Sequence, residues 1–278
     1  MLSAQLDRDQ LLFFDFNGNM TSKFSGLVMT NYGSAFGADR KNQSDSSIVF
    51  DQNGFISSPS DTANVDFPIT VSYWMKLNSI NDVNIFFRTD NVQNNHYGIW
   101  MNNLNSGGMT ISFGGGLGIA NSTNARYFTT DPSDVSIEAN KWHHIVGIIR
   151  SFDDMEIYID CKKVSGTYGG TGFTNVKYST TGDFRIGGAT SYQGVDMNID
   201  GSLDDFGFWT RVLEDEEIKS FCKTVDPINS NLLPISRQSS RKLERIVNLL
   251  GQDVPFSRNE VLIYIYSDGS VERKFFID

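Results

Sequence analysis

From about Leu11 to Phe221 the chain alternates short apolar runs with turns built from Gly, Asn, Ser and Asp. Ile48-Val49-Phe50 is followed by the turn Asp51-Gln52-Asn53-Gly54 and then Phe55-Ile56, and Thr70 to Met75 alternates strictly. Ile85-Phe86-Phe87, Tyr97 to Met101 and Met109 to Phe113 continue the series. A side-chain period of two with β-branched and aromatic residues predicts half-buried strands. His144 to Arg150 nearly lacks alternation, which predicts a central strand buried on both faces. Met155 to Ile159 is expected to pair with it across Ser151-Phe152-Asp153-Asp154. Strands at this spacing imply a sandwich of two sheets.

Helical patterning is confined to two places. Glu214 to Phe221 starts with acids and sets Ile218 and Phe221 on one face, which predicts a short helix. Ser240 to Leu250 carries Leu243, Ile246, Val247 and Leu250 at helical spacing, but Leu243 to Leu249 also reads as a strand; both readings stay open. Beyond it, Leu262 to Tyr266 and Val271 to Ile277 flank Ser267-Asp268-Gly269, a strong hairpin signal because Gly accepts φ > 0. Asp226 to Ser236 is polar and proline-marked, as a linker is. The expected organisation is an N-terminal arm (1–10), a large domain (11–223), a linker (224–236) and a small domain (237–278). The fold class is all-β: a two-sheet antiparallel jelly-roll sandwich followed by a small β-rich C-terminal domain.

Charge narrows the partners. The chain carries −10 overall, and the stretch from Ser236 onward holds seven Lys/Arg and six Asp/Glu, so the body before it is at −11. Such a body repels phosphate backbones, so nucleic acid is not an expected partner, while cations and neutral glycans are. Apolar runs fall short of the ~20 residues that span a bilayer, so no membrane insertion is expected. Met1 to Gln10 is polar and lacks a basic stretch followed by an apolar one, so an unprocessed N-terminus without a leader is expected. Cys161 and Cys222 are too few for a disulfide framework; free buried thiols are expected, with a single bridge as the alternative.

Several segments in order resemble the laminin G-like, concanavalin A-like jelly-roll superfamily. Phe14-Asp15-Phe16-Asn17-Gly18-Asn19 is similar to its opening strand, and Ile48 to Pro59 to its second hairpin. Thr70 to Lys76 resembles the strand whose Trp, here Trp74, packs between the sheets. Lys141 to Val146 with Ile157 to Asp160 resembles the central hairpin, and Phe184 to Gly188 the next strand. Gly201 to Trp209, running through Arg211, Val212 and Leu213 to Ile218, resembles the closing strand and short helix. The tail resembles something else: Leu243 to Val254 with the Ser267-Asp268-Gly269 hairpin is similar to the type A C-terminal sorting domain of type IX secretion in Bacteroidetes, also seen on structural proteins of viruses of such hosts.

Candidate chemistry follows. The superfamily includes glycosidases, which need two carboxylates flanking the scissile bond. Asp154, Glu156, Tyr158 and Asp160 share one strand face, yet Asp154 and Asp160 sit in the flanking turns, so no catalytic residue is assigned. His143 and His144 point to opposite faces and cannot share a metal; one packed and one exposed imidazole are expected. Calcium is the stronger metal candidate, since hard cations want several oxygens. Asp15, Asn17 and Asn19 alternate, and the resemblance implies that the first and last strands meet, which makes Asp15, Asn17 and Asp204 the expected ligands of a structural Ca2+. Relatives commonly have another Asp after the Gly-Asn turn, where this chain has Ser22-Lys23. For glycan binding the loops offer Asn94, Asn95, His96 and Tyr97 with Trp100, and separately Tyr192; Trp74 and Trp142 are expected in the core. Gly114-Gly115-Gly116 reads as a flexible turn.

The resemblances imply a non-enzymatic virion surface protein, with a jelly-roll recognition or spacer domain held to other virion proteins or to further copies of itself by the small C-terminal domain. The alternatives are a secreted bacterial lectin or adhesin exported by type IX secretion, and a glycoside hydrolase.

Overall fold

The computed structural model describes residues 6–93, 95–116, 124–171, 173–190, 196–222, 243–248, 252, 254, 261–266 and 271–275. They fall into two compact units, Met1–Thr224 and Val225–Asp278.

Two antiparallel sheets make the first unit. One runs in the order β13 (Lys162–Lys163), β12 (Asp154–Ile159), β11 (His143–Ser151), β6 (Ile69–Leu77), β16 (Asp200–Trp209), β4 (Ser47–Asp51), β3 (Ala35–Gly37), with β1 (Gln10–Phe14) on the far half of β16. The other runs β14 (Gly166–Gly169), β10 (Ala125–Thr130), β9 (Met109–Gly114), β8 (Ile99–Asn103), β7 (Ile85–Asn91), β15 (Asp183–Ile186), β5 (Phe55–Pro59), β2 (Thr30–Tyr32). Phe14 of the first strand lies opposite Phe206 of the closing one. The Ile48 to Pro59 segment is not a hairpin: β4 pairs with β16 and β5 with β15, so the Asp51–Gly54 turn carries the chain from one sheet to the other.

Aromatic rings dominate the shared core. Tyr73, Phe86, Phe87, Phe184, Phe206 and Phe208 are all fully buried. Tyr73 stacks on Phe206 at 6.0 Å, and Phe87 meets Phe206 edge-on at 5.5 Å. Burying such rings removes large apolar areas from water and adds directional ring contacts. Trp74 does not join them. Alternation along β6 turns Tyr73 inward, so Trp74 points to the outer face, where Arg40 stacks over it at 4.7 Å. Trp142 is likewise half-buried, beneath Lys76 at 5.3 Å.

β11 is buried on both faces, as its unbroken apolar run predicts. Its second face is covered by the helix α1 (Asp215–Cys222) with Trp209, Leu213 and Ile218. Glu217 fixes that helix: it accepts from the Glu214 main-chain N–H at 2.8 Å and from both terminal nitrogens of Arg211. A disulfide joins Cys161 to Cys222, in place of the expected free thiols. The turn after β12 and the end of α1 bring their Cα atoms within 6.1 Å, inside the span a bridge can close. The histidine expectation is corrected by the same covering layer. Both imidazoles are buried: His143 pairs with Asp160 at 2.9 Å, and His144 lies 2.9 Å from the Ser72 hydroxyl with Phe221 over it.

The second unit is a three-stranded antiparallel sheet, β17 (Leu243–Val247), β18 (Val261–Tyr266) and β19 (Val271–Phe275), in that order. Leu243 to Val247 is therefore strand, not helix. β18 and β19 form the expected hairpin, Ile265 opposite Val271; its Ser267-Asp268-Gly269 turn lies outside the described residues, as does the 224–236 linker. Asn248 and Gln252 clasp each other through side chain and main chain, and Leu262 packs with Ile246 and Val254.

Candidate glycan-binding site

The site begins with an irregularity in β7. A regular strand would send Phe86 and Arg88 to one face and Ile85 and Phe87 to the other. A register shift between Ile85 and Phe87 breaks that rule. Both phenylalanines are buried in the core, and Ile85 and Arg88 emerge together on the outer face. There Arg88 lies opposite Trp100, and Ile85 opposite Asn102, both on β8.

The loop before β8 folds back over this patch. His96 stacks on Trp100 with ring centroids 5.5 Å apart and planes 21° from parallel. The Arg88 guanidinium lies 5.4 Å from the Trp100 ring centroid. Its guanidinium donates to the main-chain carbonyls of Asn95 and Tyr97. A hollow of about 170 Å³ remains, lined by Val83, Ile85, Arg88, His96, Trp100, Asn102 and Met197. Among the described residues no carboxylate lines it and Arg88 forms no ion pair. Its nearest acids are engaged elsewhere: Asp183 with Arg185 at 2.6 Å, and Asp90 with Ser179. Burial, and then the charge of Arg88, hold the His96 imidazole down at about 4, so it is neutral near pH 7. Its Nδ1 is buried and has no hydrogen-bond partner.

Glycines make the loop's approach feasible. A Cβ on Gly114 would sit 2.0 Å from the His96 carbonyl oxygen, and one on Gly116 would sit 2.6 Å from the Tyr97 ring. Gly116 also has φ +93 and donates its N–H to the His96 carbonyl. Gly114 to Gly116 is thus the seat of the His96–Tyr97 loop and not simply a flexible turn.

Of the residues expected to bind a glycan, the structure brings His96 to Trp100, contributes Asn95 through its carbonyl, and turns Tyr97 onto Gly116 beside the hollow. Asn94 and Tyr192 lie outside the described residues. Sequence reasoning missed Arg88 and Asn102. The available signal was a lone cation directly after the apolar run Ile85-Phe86-Phe87.

The expected calcium ligands stand apart in their bonding. Asp15 accepts from Asn17 at 2.7 Å and pairs with Lys23 at 2.6 Å; burial pushes its carboxyl up, but these hydrogen bonds hold it below its ordinary value. Asp204 and Asp205 share Arg40, one on each terminal nitrogen. Burial and the adjacent Asp205 hold the Asp204 carboxyl well above its ordinary value, against the pull of Arg40. Asp15 and Asp204, the two carboxylates among the expected ligands, therefore each already face a cationic side chain, and Asn17 donates its amide to Asp15.

The β12 carboxylates are engaged as well. Glu156 meets Arg150 and Lys163; burial raises it, but those hydrogen bonds leave it below its ordinary value. Asp160 holds His143 and the His144 N–H. A general acid needs a raised carboxyl. Among the described residues the raised carboxyl is Asp204, which is 2 % exposed behind Arg40. A larger hollow, about 640 Å³, lies between Phe67, Phe152 and Val176; of its two cations, Arg150 is paired with Asp154 and Glu156, and Lys177 stands with a carboxylate, Asp66, in the same lining.

Residues 50–219 match the Laminin_G_3 family, described as the concanavalin A-like lectin/glucanases superfamily, and the chain belongs to that family. Domain 4 of AbnA, a GH43 extracellular arabinanase from Geobacillus stearothermophilus solved with arabinotriose, is similar over 77 % of this chain and 98 % of that one, at 14 % identity and a TM-score of 0.52. The binding domain of botulinum neurotoxin serotype G is similar at 13 % identity and a TM-score of 0.53, over 77 % of this chain; the match spans half of the neurotoxin domain. The serotype D binding domain is similar at 12 % identity and 0.53, covering 98 % of this chain and 74 % of that one. No curated protein matches by sequence. At these identities the structural likeness speaks for the fold alone.

Proposed function

We propose that the protein is a non-enzymatic glycan-recognition module, binding saccharide in the hollow formed by Arg88, His96, Trp100 and Asn102. The observation that carries this reading is the Trp100–His96 plate beside a buried guanidinium and an imidazole nitrogen with no partner. A flat aromatic face accepts the C–H face of a sugar ring, and a few fixed polar groups orient its hydroxyls. The family and the arabinotriose-bound arabinanase domain support a carbohydrate ligand. Glycan-array screening of the full chain, followed by calorimetry on its hits, tests the reading. Binding that survives Trp100→Ala unchanged would remove it. Release of sugar by the parent protein would overturn the non-enzymatic part.

The C-terminal sheet serves in this reading as the attachment unit, adding a strand to a neighbouring protein or copy. The resemblance of the tail to type IX sorting domains supports a surface setting, with a virus particle as the leading one and the bacterial envelope as the second. The Cys161–Cys222 bridge favours oxidising surroundings, outside the cytoplasm. Immunolabelling of particles and of cell envelopes from the source separates the two settings.

A further inference from the structure

We propose that the Arg88 hollow takes a saccharide bearing a carboxylate, its carboxylate seated on the Arg88 guanidinium and its ring on Trp100. This inference rests on the glycan reading above and adds the ligand's charge.

The chemistry of the lining points to an anion. A neutral sugar is held by a mixture of donors and acceptors, because every hydroxyl is both. Here a guanidinium, an amide and one imidazole supply the polar contacts, and among the described residues no carboxylate is available to accept from a hydroxyl. Arg88 is 5 % exposed, and burial lowers its pKa to about 10, which leaves it protonated near pH 7. A buried cation without a counter-ion is costly, and its two main-chain acceptors, the Asn95 and Tyr97 carbonyls, neutralise nothing. Across the sheet its neighbour on β15 is a second cation, Arg185, which lies opposite it in register. Arg185 keeps Asp183 at 2.6 Å and covers the Phe55 ring at 4.1 Å, so that carboxylate is committed. Asp90 binds the Ser179 hydroxyl at 2.9 Å and the Ser179 N–H. The two acids soften the local field but leave Arg88 as the group that faces the hollow. A carboxylate there would form charge-assisted hydrogen bonds of the stronger kind.

Size and shape select a sugar over a bare anion. The hollow, about 170 Å³, has room for a single ring, and its lining combines the stacked rings of Trp100 and His96 with apolar Val83, Ile85 and Met197. Asn102 can donate to or accept from a ring hydroxyl. The body's charge of −11 works against long acidic polymers at a distance, so a terminal or isolated acidic residue on a largely neutral glycan suits the site better than a polyanion.

The test uses the full chain and small probes. Calorimetry or ligand-observed NMR compares methyl glucuronide and the methyl glycoside of N-acetylneuraminic acid with their carboxyl methyl esters, and with methyl glucoside. The esters keep ring, hydroxyls and size but lose the charge. Expected is binding of at least one free acid, and a weakening of about tenfold or more for its ester. Which acid binds tells a uronic from a sialic source. Arg88→Gln should bring the acid down to the affinity of its ester. If that variant does not fold, the comparison on the parent protein still decides. Equal binding of acid and ester, or binding of methyl glucoside alone, overturns the inference while the glycan reading stands. Failure of every probe, together with a blank glycan array, overturns both.

Discussion

A single arginine serves two acids on the outer face of the first sheet. Arg40 bridges Asp204 and Asp205 and lies over Trp74, with 19 % of its side chain exposed. Arg40→Met leaves adjacent carboxylates without a cation, one of them buried, and should lower unfolding free energy by about 3 kcal/mol; chemical denaturation reads this directly. His144 sits beneath the same arginine. Burial, and then the charge of Arg40, hold its pKa down at about 3 against an ordinary 6.5. The unfolded chain therefore takes up a proton below pH 6.5 and the fold does not until about pH 3. Stability due to this group is complete above pH 6.5 and is lost as pH falls towards 3. Asp204 acts in the opposite sense: its carboxyl is raised in the fold, so the native state gains a proton first on acidification. Between pH 6.5 and 4 the two contributions oppose each other, and His144→Gln, which removes the destabilising one, should raise the melting temperature relative to the parent by a margin that grows as pH falls through that window. A slope unchanged by the substitution would assign the acid sensitivity to other groups. None of this was legible in the sequence, where strand alternation put His143 and His144 on opposite faces and left one exposed. The helix α1 that covers the outer face comes from 70 residues further on, and covering is a property of the assembled layers.

Elements were legible where patterning alone decides them. β6, β9, β11, β12 and β16 follow from their alternating or unbroken apolar runs, and α1 from acids ahead of Ile218. What escaped was register, and register is what builds the site. The shift in β7 turns Phe86 inward beside Phe87 and leaves Arg88 across from Trp100. A second irregularity in β16, where Asp205 has φ +47, lets Phe206 and Phe208 stay in the core while Asp204 meets Trp74. A period-two reading cannot place either bulge; Trp74, by contrast, was expected inside on the family resemblance, although alternation along β6 gives that position to Tyr73. The cysteines escaped for a related reason, since their approach depends on how α1 lies on the sheet. The bridge closes a loop with a sequence separation of 61. On chain-entropy grounds Cys161→Ser with Cys222→Ser should cost about 4 kcal/mol, and reduction of the parent should move the denaturation midpoint the same way. Gly114→Ala tests the loop seat: it forces His96 away from Trp100, and should weaken glycan binding with little change in the sandwich core.

At the level of the whole molecule, the aromatic core and both large sheets lie within Met1–Thr224, and the C-terminal sheet has its own small core around Leu262. A chain ended after Thr224 should therefore fold with a melting temperature close to that of the parent and keep its ligand. Loss of binding on that truncation would tie recognition to the tail. The division into a large sandwich and a small terminal sheet was readable from strand spacing and the hairpin signal, whereas, of the candidate hollow, His96 and Trp100 were visible in the sequence and Arg88 was hidden by the bulge in β7. The most direct measurement is calorimetric titration of the parent and of Trp100→Ala with the strongest glycan found on the array. Loss of the indole plate should weaken binding by about 2 kcal/mol, roughly thirtyfold, while the unfolding curve stays near that of the parent. Equal affinity of the two proteins would contradict the assignment of the Arg88–His96–Trp100 hollow as the binding site.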